Sequence, residues 1–393
     1  MQQSGDLSGA LVRACETGGP DIVRSACVEA AAPDALRQLA LHLRPKDLEL
    51  VILFVSPLAD ITAVAADAAR VFAPARVIGC TTAGELCSQG YSEGQIVAVG
   101  LPREHFCART LLIRDLDDYD QQDLIGDLIR GRNDMARETP DWMSECAMLL
   151  VDGLTMHEDE LTAHLSMGVG PVPLFGGSAG DGDRFERTFV LHDGVAYRNA
   201  AIVVQLRTDC EIEVFNTDHL RPTEKRMVVT GADPARRIVH EINAEPAARE
   251  YARMLGKDLE QLTTFTFAAH PVVVRIGGKH HVRSIQRVEP NGDLVFFSAI
   301  DEGVVLTLAD STDMVQHLEG QLAALNERGK PDSIIAFDCV FRRMEAEQRQ
   351  QAGQLSNLLA QYNVVGLSTY GEQINSRHVN QTLTGVAIYP PKA

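Results

Sequence analysis

Three stretches of the chain carry the residue types that could hold a small polar ligand, and they share one pattern. Val77-Ile78-Gly79-Cys80-Thr81-Thr82-Ala83-Gly84-Glu85 returns near the C-terminal end as Val364-Val365-Gly366-Leu367-Ser368-Thr369-Tyr370-Gly371-Glu372, with a looser copy at Leu174-Phe175-Gly176-Gly177-Ser178-Ala179-Gly180-Asp181. Each runs from apolar residues into glycine, then small hydroxylated residues, then glycine and an acid. That is how a buried strand opens into a tight polar turn.

The chemistry on offer is mainly that of binding. The hydroxyls of Thr81, Thr82, Ser178, Ser368 and Thr369 suit a ligand, or equally cap the backbone that follows. Gly84, Gly177, Gly180 and Gly371 belong to the same candidate ligand-binding turns. Glu85, Asp181 and Glu372 would face one another if the turns pack around a shared centre, and would then take a cation or an amine. The alternative is that each accepts N–H bonds within its own turn. Two residues suit nucleophilic catalysis: Cys80 at a strand end, and Ser178 in a Gly-x-Ser-x-Gly arrangement that resembles a hydrolase elbow. Neither has a matching base in the local sequence, and the serine turn recurs without an acid and a histidine in the hydrolase order.

The elements that must position these turns repeat as well. Apolar runs at residues 50–55, 147–151 and 334–337 read as buried strands, each followed by a helix-like segment before its turn. Further strands follow at 96–100, 201–206 and 383–389. A strand-helix-strand-strand unit occurring three times is the simplest reading, with the first two strands parallel. The resulting class is α/β, of mixed sheets, with the ligand turns at the C-terminal ends of parallel strands.

Between the units the pattern changes. His192-Asp193-Gly194 and Pro290-Asn291-Gly292-Asp293 are hairpin signals. Strands are expected at 211–215 and 226–230, helices at 234–242 and 246–255, and a helix from Asp310 to near Arg328. Residues 1–45 read as a lead-in, 46–245 as one domain and 246–393 as a second.

Composition excludes some functions. With 54 Asp and Glu against 36 Lys and Arg in 393 residues, the net charge is −18, and a nucleic-acid surface needs the opposite balance. Neither a secretory leader nor a membrane span is visible. Eight scattered cysteines without a Cys-x-x-Cys pair fit reduced thiols in the cytoplasm.

Taken in order, the three turn motifs, with Gly90-Tyr91 after the first and Asn380 and Thr382 after the last, resemble the FIST sensory family over about residues 45–390. The chain departs from the family pattern at Cys339-Val340-Phe341-Arg342, where Phe341 stands in place of the usual glycine. The resemblance implies a sensor of small ligands built from an N-terminal and a C-terminal FIST module. It also implies a subset of haem proteins that sense nitric oxide and signal through a partner histidine kinase. A haem b held without covalent attachment needs an axial imidazole whose other nitrogen is held by an acceptor. His219, beside Asp218 and with Arg221 near enough for a propionate, is the first candidate for the iron, followed by His270, His157 and His192. The runner-up ligand is a small organic molecule such as an amino acid, and the third reading is a hydrolase using Ser178 or Cys80.

Overall fold

The computed structural model describes residues 13–14 and 22–392. Residues 1–12 and 15–21 of the lead-in, with Cys15 and the stretch read as lacking a secretory leader, lie outside the described residues. The first unit holds β1 (Arg13–Ala14), β2 (Arg24–Glu29), α1 (Ala35–Leu43), β3 (Leu48–Val55), α2 (Ile61–Val71), β4 (Arg76–Thr81), β5 (Glu85–Cys87), β6 (Gly90–Ser92) and β7 (Gln95–Pro102). The second holds β8 (Phe106–Arg114), α3 (Gln121–Glu138), β9 (Ser144–Val151), α4 (Glu158–Val169), β10 (Leu174–Ser178), β11 (Val190–His192), β12 (Val195–Tyr197) and β13 (Ala200–Thr208).

The third unit opens with β14 (Glu211–Thr217) and is then interrupted by an inset. The inset comprises β15 (Leu220–Asp233), β16 (Ile238–Ile242), β17 (Glu245–Pro246), α5 (Ala247–Leu255), α6 (Thr264–Ala269), β18 (Val272–Ile276), β19 (Lys279–Arg283), β20 (Ile285–Val288), β21 (Leu294–Phe296) and β22 (Val305–Ser311). The unit resumes with α7 (Met314–Leu325), β23 (Ser333–Cys339), α8 (Val340–Gln348), α9 (Ala352–Gln361), β24 (Val364–Thr369), β25 (Glu372–Ile374), β26 (Arg377–Val379) and β27 (Leu383–Tyr389).

The α/β class with mixed sheets holds. In every unit the two strands joined by helix are parallel: β3 with β4, β9 with β10, β23 with β24. The returning strand, β7, β13 or β27, lies antiparallel to the first of them, and the opening strand, β2, β8 or β14, lies antiparallel to that. The hairpin after each turn leaves its own unit. β5 and β6 extend the third unit's sheet, β25 and β26 the second's, and β11 and β12 the first's. The exchange is cyclic, so each unit's sheet is finished by another's hairpin. Among the described residues, three of the four sheets draw strands from both sides of the boundary expected near residue 245.

The three sheets face one another across a common core. Ile52 and Phe54, Met148 and Leu150, and Ile335 and Phe337 point into it, and the Phe337 ring meets those of Phe54 and Phe175 at 6.0 and 5.8 Å between centroids. The alternate residues point outward under helices: Val51 and Leu53 under α1 and α2, Ala147 and Leu149 under α3 and α4, Ile334 and Ala336 under α7 and α9. Burial on both faces is why these strands read as unbroken apolar runs, and each large side chain so buried contributes about 1.5–3 kcal/mol.

The turns start at glycine for one shared reason. A Cβ on Gly79, Gly176 or Gly366 would lie 2.2, 2.3 or 1.8 Å from the carbonyl oxygen of Leu53, Leu149 or Ala336 on the parallel neighbour. The longer spacing of the third copy comes from two helices, α8 and α9, in the crossover where the others have one.

One expected helix is corrected. Residues 234–242 form a short 3-10 turn, Pro234–Arg236, and then β16, whose Ile238 and Val239 pair with both β15 and β21; neighbours on both sides override the local helical pattern. The expected helix at 246–255 is α5, and the one after Asp310 is α7. Both hairpin signals turn as expected, between β11 and β12 and between β20 and β21. Among the described residues, no helix is long and apolar enough to cross a membrane.

Candidate functional site

The three turns interlock at the centre of the units. Gly180 and Gly182 donate to the carbonyls of Thr81 and Thr82, both at 3.1 Å; Ala83 donates to the Ser368 carbonyl at 2.9 Å and Ser368 to that of Gly84 at 2.7 Å. Ser178 donates to the Gly371 carbonyl at 2.8 Å, and Tyr370 to that of Ser178 at 3.2 Å. This contact leaves no room for side chains. A Cβ on Gly180 would meet Ala83 at 2.6 Å, one on Gly177 would meet Thr369 at 2.5 Å, and one on Gly371 would meet His378 at 2.3 Å.

The acids of the turns are held in two copies of one device. Thr82 donates its hydroxyl to Glu85 Oε1, and the Gln95 N–H donates to Oε2 at 3.0 Å. Thr369 donates to Glu372 Oε1 in the same way, and the Thr382 N–H and hydroxyl donate to Oε2 at 3.1 and 2.8 Å. Both carboxyls are buried, and burial pushes Glu85 up to about 7 and Glu372 up to about 8 against these hydrogen bonds. Asp181 follows the same logic with other partners: its oxygens accept the N–H groups of Phe185, Glu186 and Arg187 at 2.9, 3.0 and 2.8 Å. The shared acidic centre, in which Glu85, Asp181 and Glu372 would face one another, does not form. Each carboxylate is instead satisfied by the turn, hairpin or loop that follows it.

Thr82, Ser178, Ser368, Thr369 and Glu372 are buried in this knot, so it is structural on that side. Thr81 spends its hydroxyl on the Phe189 N–H at 3.0 Å. Its other side opens as a cleft of about 420 Å3 lined by Ala83, Gly84, Glu85 and Asp181, by Ser56 to Leu58 after β3, and by Arg343, Met344 and Glu347 of α8. A smaller hollow of about 200 Å3 adjoins it at Pro57, Thr81, Asp181, Arg184 and Arg187. The cleft therefore lies at the C-terminal ends of the parallel pair β3 and β4, where α/β sheets bind ligands. Leu58 and Phe265 on its lining are 76 and 50 % exposed.

The loop that carries Arg184 and Arg187 to the cleft is built by Asp181 and Tyr370. The Tyr370 hydroxyl bonds Asp181 Oδ1 and accepts the Asp181 and Phe185 N–H groups at 3.0 and 3.3 Å, while its ring stacks on Phe185 at 4.3 Å. Arg184 and Arg187 are exposed and make no ion pair among the described residues. Arg343 is fixed: it lies against Gly84 and pairs with Glu93 at 2.7 Å and Glu347 at 3.1 Å.

The histidines fall elsewhere. His219 is buried between Arg342, whose Nη1 donates to Nδ1 at 2.8 Å, and Glu345, whose Oε2 accepts from Nε2 at 2.9 Å. Burial lowers its pKa against the pull of Glu345, and because a guanidinium only donates, Nδ1 offers its lone pair to Arg342 and both nitrogens are engaged. A metal ligand needs a lone pair that nothing else holds, and in this arrangement the His219 lone pair is taken by Arg342. Arg221 is an exposed residue of β15 opposite Asp310. His157 caps α4 with its ring on Asp117 at 2.8 Å, His192 bonds Thr110 at 3.0 Å, and His270 is half-buried at the end of α6. None of the four lines the cleft, and the residues named for haem do not together fit it.

The two nucleophile candidates are closed off. Cys80 is fully buried and its thiol is pushed far up by desolvation, which disfavours the reactive thiolate. Ser178 is fully buried, and its hydroxyl accepts from Gln373 at 2.9 Å instead of meeting a base. The seven described cysteines are all buried. One trio among the described residues, His105, Asp209 and Cys210, brings potential metal donors within 4.8 Å of one another, at the opposite end of the sheet from the turns.

Sequence reasoning missed Tyr370 as an organiser, and it missed Arg184, Arg187 and the network of Asp338, Arg342 and Glu345. A signal for the acid device was present: the spacing from Thr82 to Glu85 to Gln95 equals that from Thr369 to Glu372 to Thr382. Phe341, where the motif departs from glycine, packs edge-on against Phe297 of the inset at 5.3 Å, while Arg342 beside it stays in the buried network.

Comparison with known families gives two matches in series: FIST N domain over residues 49–245 and FIST C domain over residues 247–375. No curated protein matches the chain.

Proposed function

The chain belongs to the FIST family, and we propose that it senses a small zwitterionic organic ligand, such as an amino acid, in the cleft beside the first turn. FIST domains are sensor domains for small ligands, and as a class they are non-catalytic. The observation that carries the finer reading is the lining of the cleft. Arg184 and Arg187, outside any ion pair among the described residues, suit a carboxylate, the Asp183 carboxylate suits an ammonium, and Leu58, Met344 and Phe265 give a side chain an apolar wall.

The walls come from separate parts of the fold: Ser56 to Leu58 and the first turn from the first unit, the Asp181 loop from the second, α8 from the third, and Phe265 from the inset. A ligand touching all four binds one arrangement of them better than another, which is the differential affinity that sensing requires. The signal then passes to a separate partner, for which a histidine kinase remains the proposed class.

The test is a thermal-shift screen of the common amino acids, followed by titration of any hit against Arg184→Ala and Arg187→Ala. A hit whose affinity falls about tenfold or more in either variant supports the reading, one charge-assisted contact being of that weight. No hit, or a hit indifferent to both variants, overturns it. Haem with nitric oxide is supported by the family resemblance alone; its separate test is the absorption spectrum after haem addition, before and after the gas.

A further inference from the structure

A second concavity lies on the inset, lined by none of the residues of the turn cleft. Its volume is about 670 Å3, inside the usual range for small-molecule sites. The inset sheet shapes it. β22 runs between β15 and β18; β18 pairs with it only at Val272–Leu308 and Val273–Thr307, and β15 breaks register with it between Pro222 and Arg226. The groove opens where these pairings stop. Arg226 and Val273 both stand opposite Thr307, so the three share one face with Arg275, two residues beyond Val273, whereas Val274 and Arg283, the latter opposite Val272, line the groove from the other face.

The charge on this wall is what calls for a partner. Arg226, Arg275 and Arg283 all line the groove, and none is in an ion pair among the described residues, in a chain where acids outnumber bases. Arg226 and Arg275 are exposed. Arg283 is half-buried, and its Nη1 finds only the carbonyls of Val282 and His378, at 3.3 and 3.2 Å. Desolvation lowers its pKa, the expected response of a guanidinium without a bonded carboxylate. Glu224 and Asp301 line the same groove, which leaves three guanidiniums against two carboxylates. Val274 and Ile300 supply apolar surface.

We propose that this groove is a second ligand site that takes a small organic anion, with a carboxylate or phosphate head held by Arg226 and Arg275 and an apolar body reaching Val274 and Ile300 where the sheet parts. The guanidinium fork matches the acidic oxygens of either head. The site is independent of the amino-acid reading of the turn cleft, because no residue is shared.

The test is calorimetric titration of the full chain with phenyl phosphate and with benzoate, which separate the two heads, and with phenol, which has the body alone. At least one of the two anions binds saturably at one to one, phenol does not, and binding weakens as salt is added. Replacing both exposed arginines, Arg226→Ala with Arg275→Ala, weakens the anion about tenfold or more while an unchanged melting temperature shows the fold intact. The milder Arg275→Lys, which keeps the charge and loses the fork, falls between. If neither anion saturates, or if the double variant binds as the parent chain does, the proposal is overturned.

Discussion

Arg342 donates through Nη1 to Nδ1 of His219 at 2.8 Å. A guanidinium has only donors, so the imidazole must present its lone pair there and carry its proton on Nε2, toward Glu345. The same arginine reaches back through Nε to Asp338 at 2.7 Å, and Asp338 bonds the Tyr91 hydroxyl. Residues from the first unit, the inset boundary and the third unit are thereby tied in one buried chain.

Removing the cation from this chain should be among the most damaging changes in the protein. Arg342→Met leaves the Asp338 carboxylate buried without its cation and His219 Nδ1 without its donor, and a loss of about 3–5 kcal/mol is expected. His219→Gln, which can still accept from Arg342, should cost less. Urea unfolding of both variants checks the order, and an Arg342→Met protein as stable as its parent would contradict the network.

The raised carboxyls set a pH dependence. Glu85 and Glu372 hold their protons up to about pH 7 and 8 in the folded protein, against about 4.3 when unfolded. Between these values the folded state binds more protons, so this contribution to stability is fully present below about pH 4.3 and declines as pH rises through about 8. Glu345, whose pKa is lowered by the His219 hydrogen bond despite burial, acts in the opposite sense, with its contribution lost on acidification. The difference in unfolding free energy between the parent chain and Glu372→Gln isolates the first effect. That difference should shrink from about pH 5 to about pH 9, and a constant difference would mean the carboxyl is ionised throughout.

Tyr370→Phe keeps the ring stacked on Phe185 and removes the hydroxyl that bonds Asp181. A stability loss of about 1 kcal/mol is expected. The larger effect should be on the 181–187 loop, with faster amide exchange at Phe185 to Arg187 and weaker binding of any cleft ligand. Unchanged exchange there would show that Asp181 holds the loop alone.

The strand glycines should resist even one added carbon. Gly176→Ala places a Cβ 2.3 Å from the Leu149 carbonyl, an overpacked contact between two central strands that is expected to cost about 1–3 kcal/mol. Gly320→Ala, on α7 with no atom within 4 Å of the added carbon, is the control and should be stabilising by about 1 kcal/mol or neutral. Melting temperatures of the pair decide it.

What the sequence determined is what local chemistry encodes. Unbroken apolar runs marked β3, β9 and β23 because these strands are buried on both faces, and Asp193-Gly194 and Asn291-Gly292 marked hairpins because few residues accept their backbone. The recurrence of Gly, hydroxyl, Gly and acid marked the three turns and through them the family, and the alternative reading of Glu85 and Glu372, as acceptors of backbone N–H bonds, was already available from residue type. Tertiary structure decided the rest. Which sheet a hairpin joins depends on the edge it meets, and the edges of β4, β10 and β24 look alike in sequence, so the cyclic exchange was invisible. His219 next to Asp218 looked like an oriented ligand, yet the residues that fix it, Arg342 and Glu345, lie more than a hundred positions away. The same separation hid the cleft, whose walls come from three units and the inset and meet only when the chain closes.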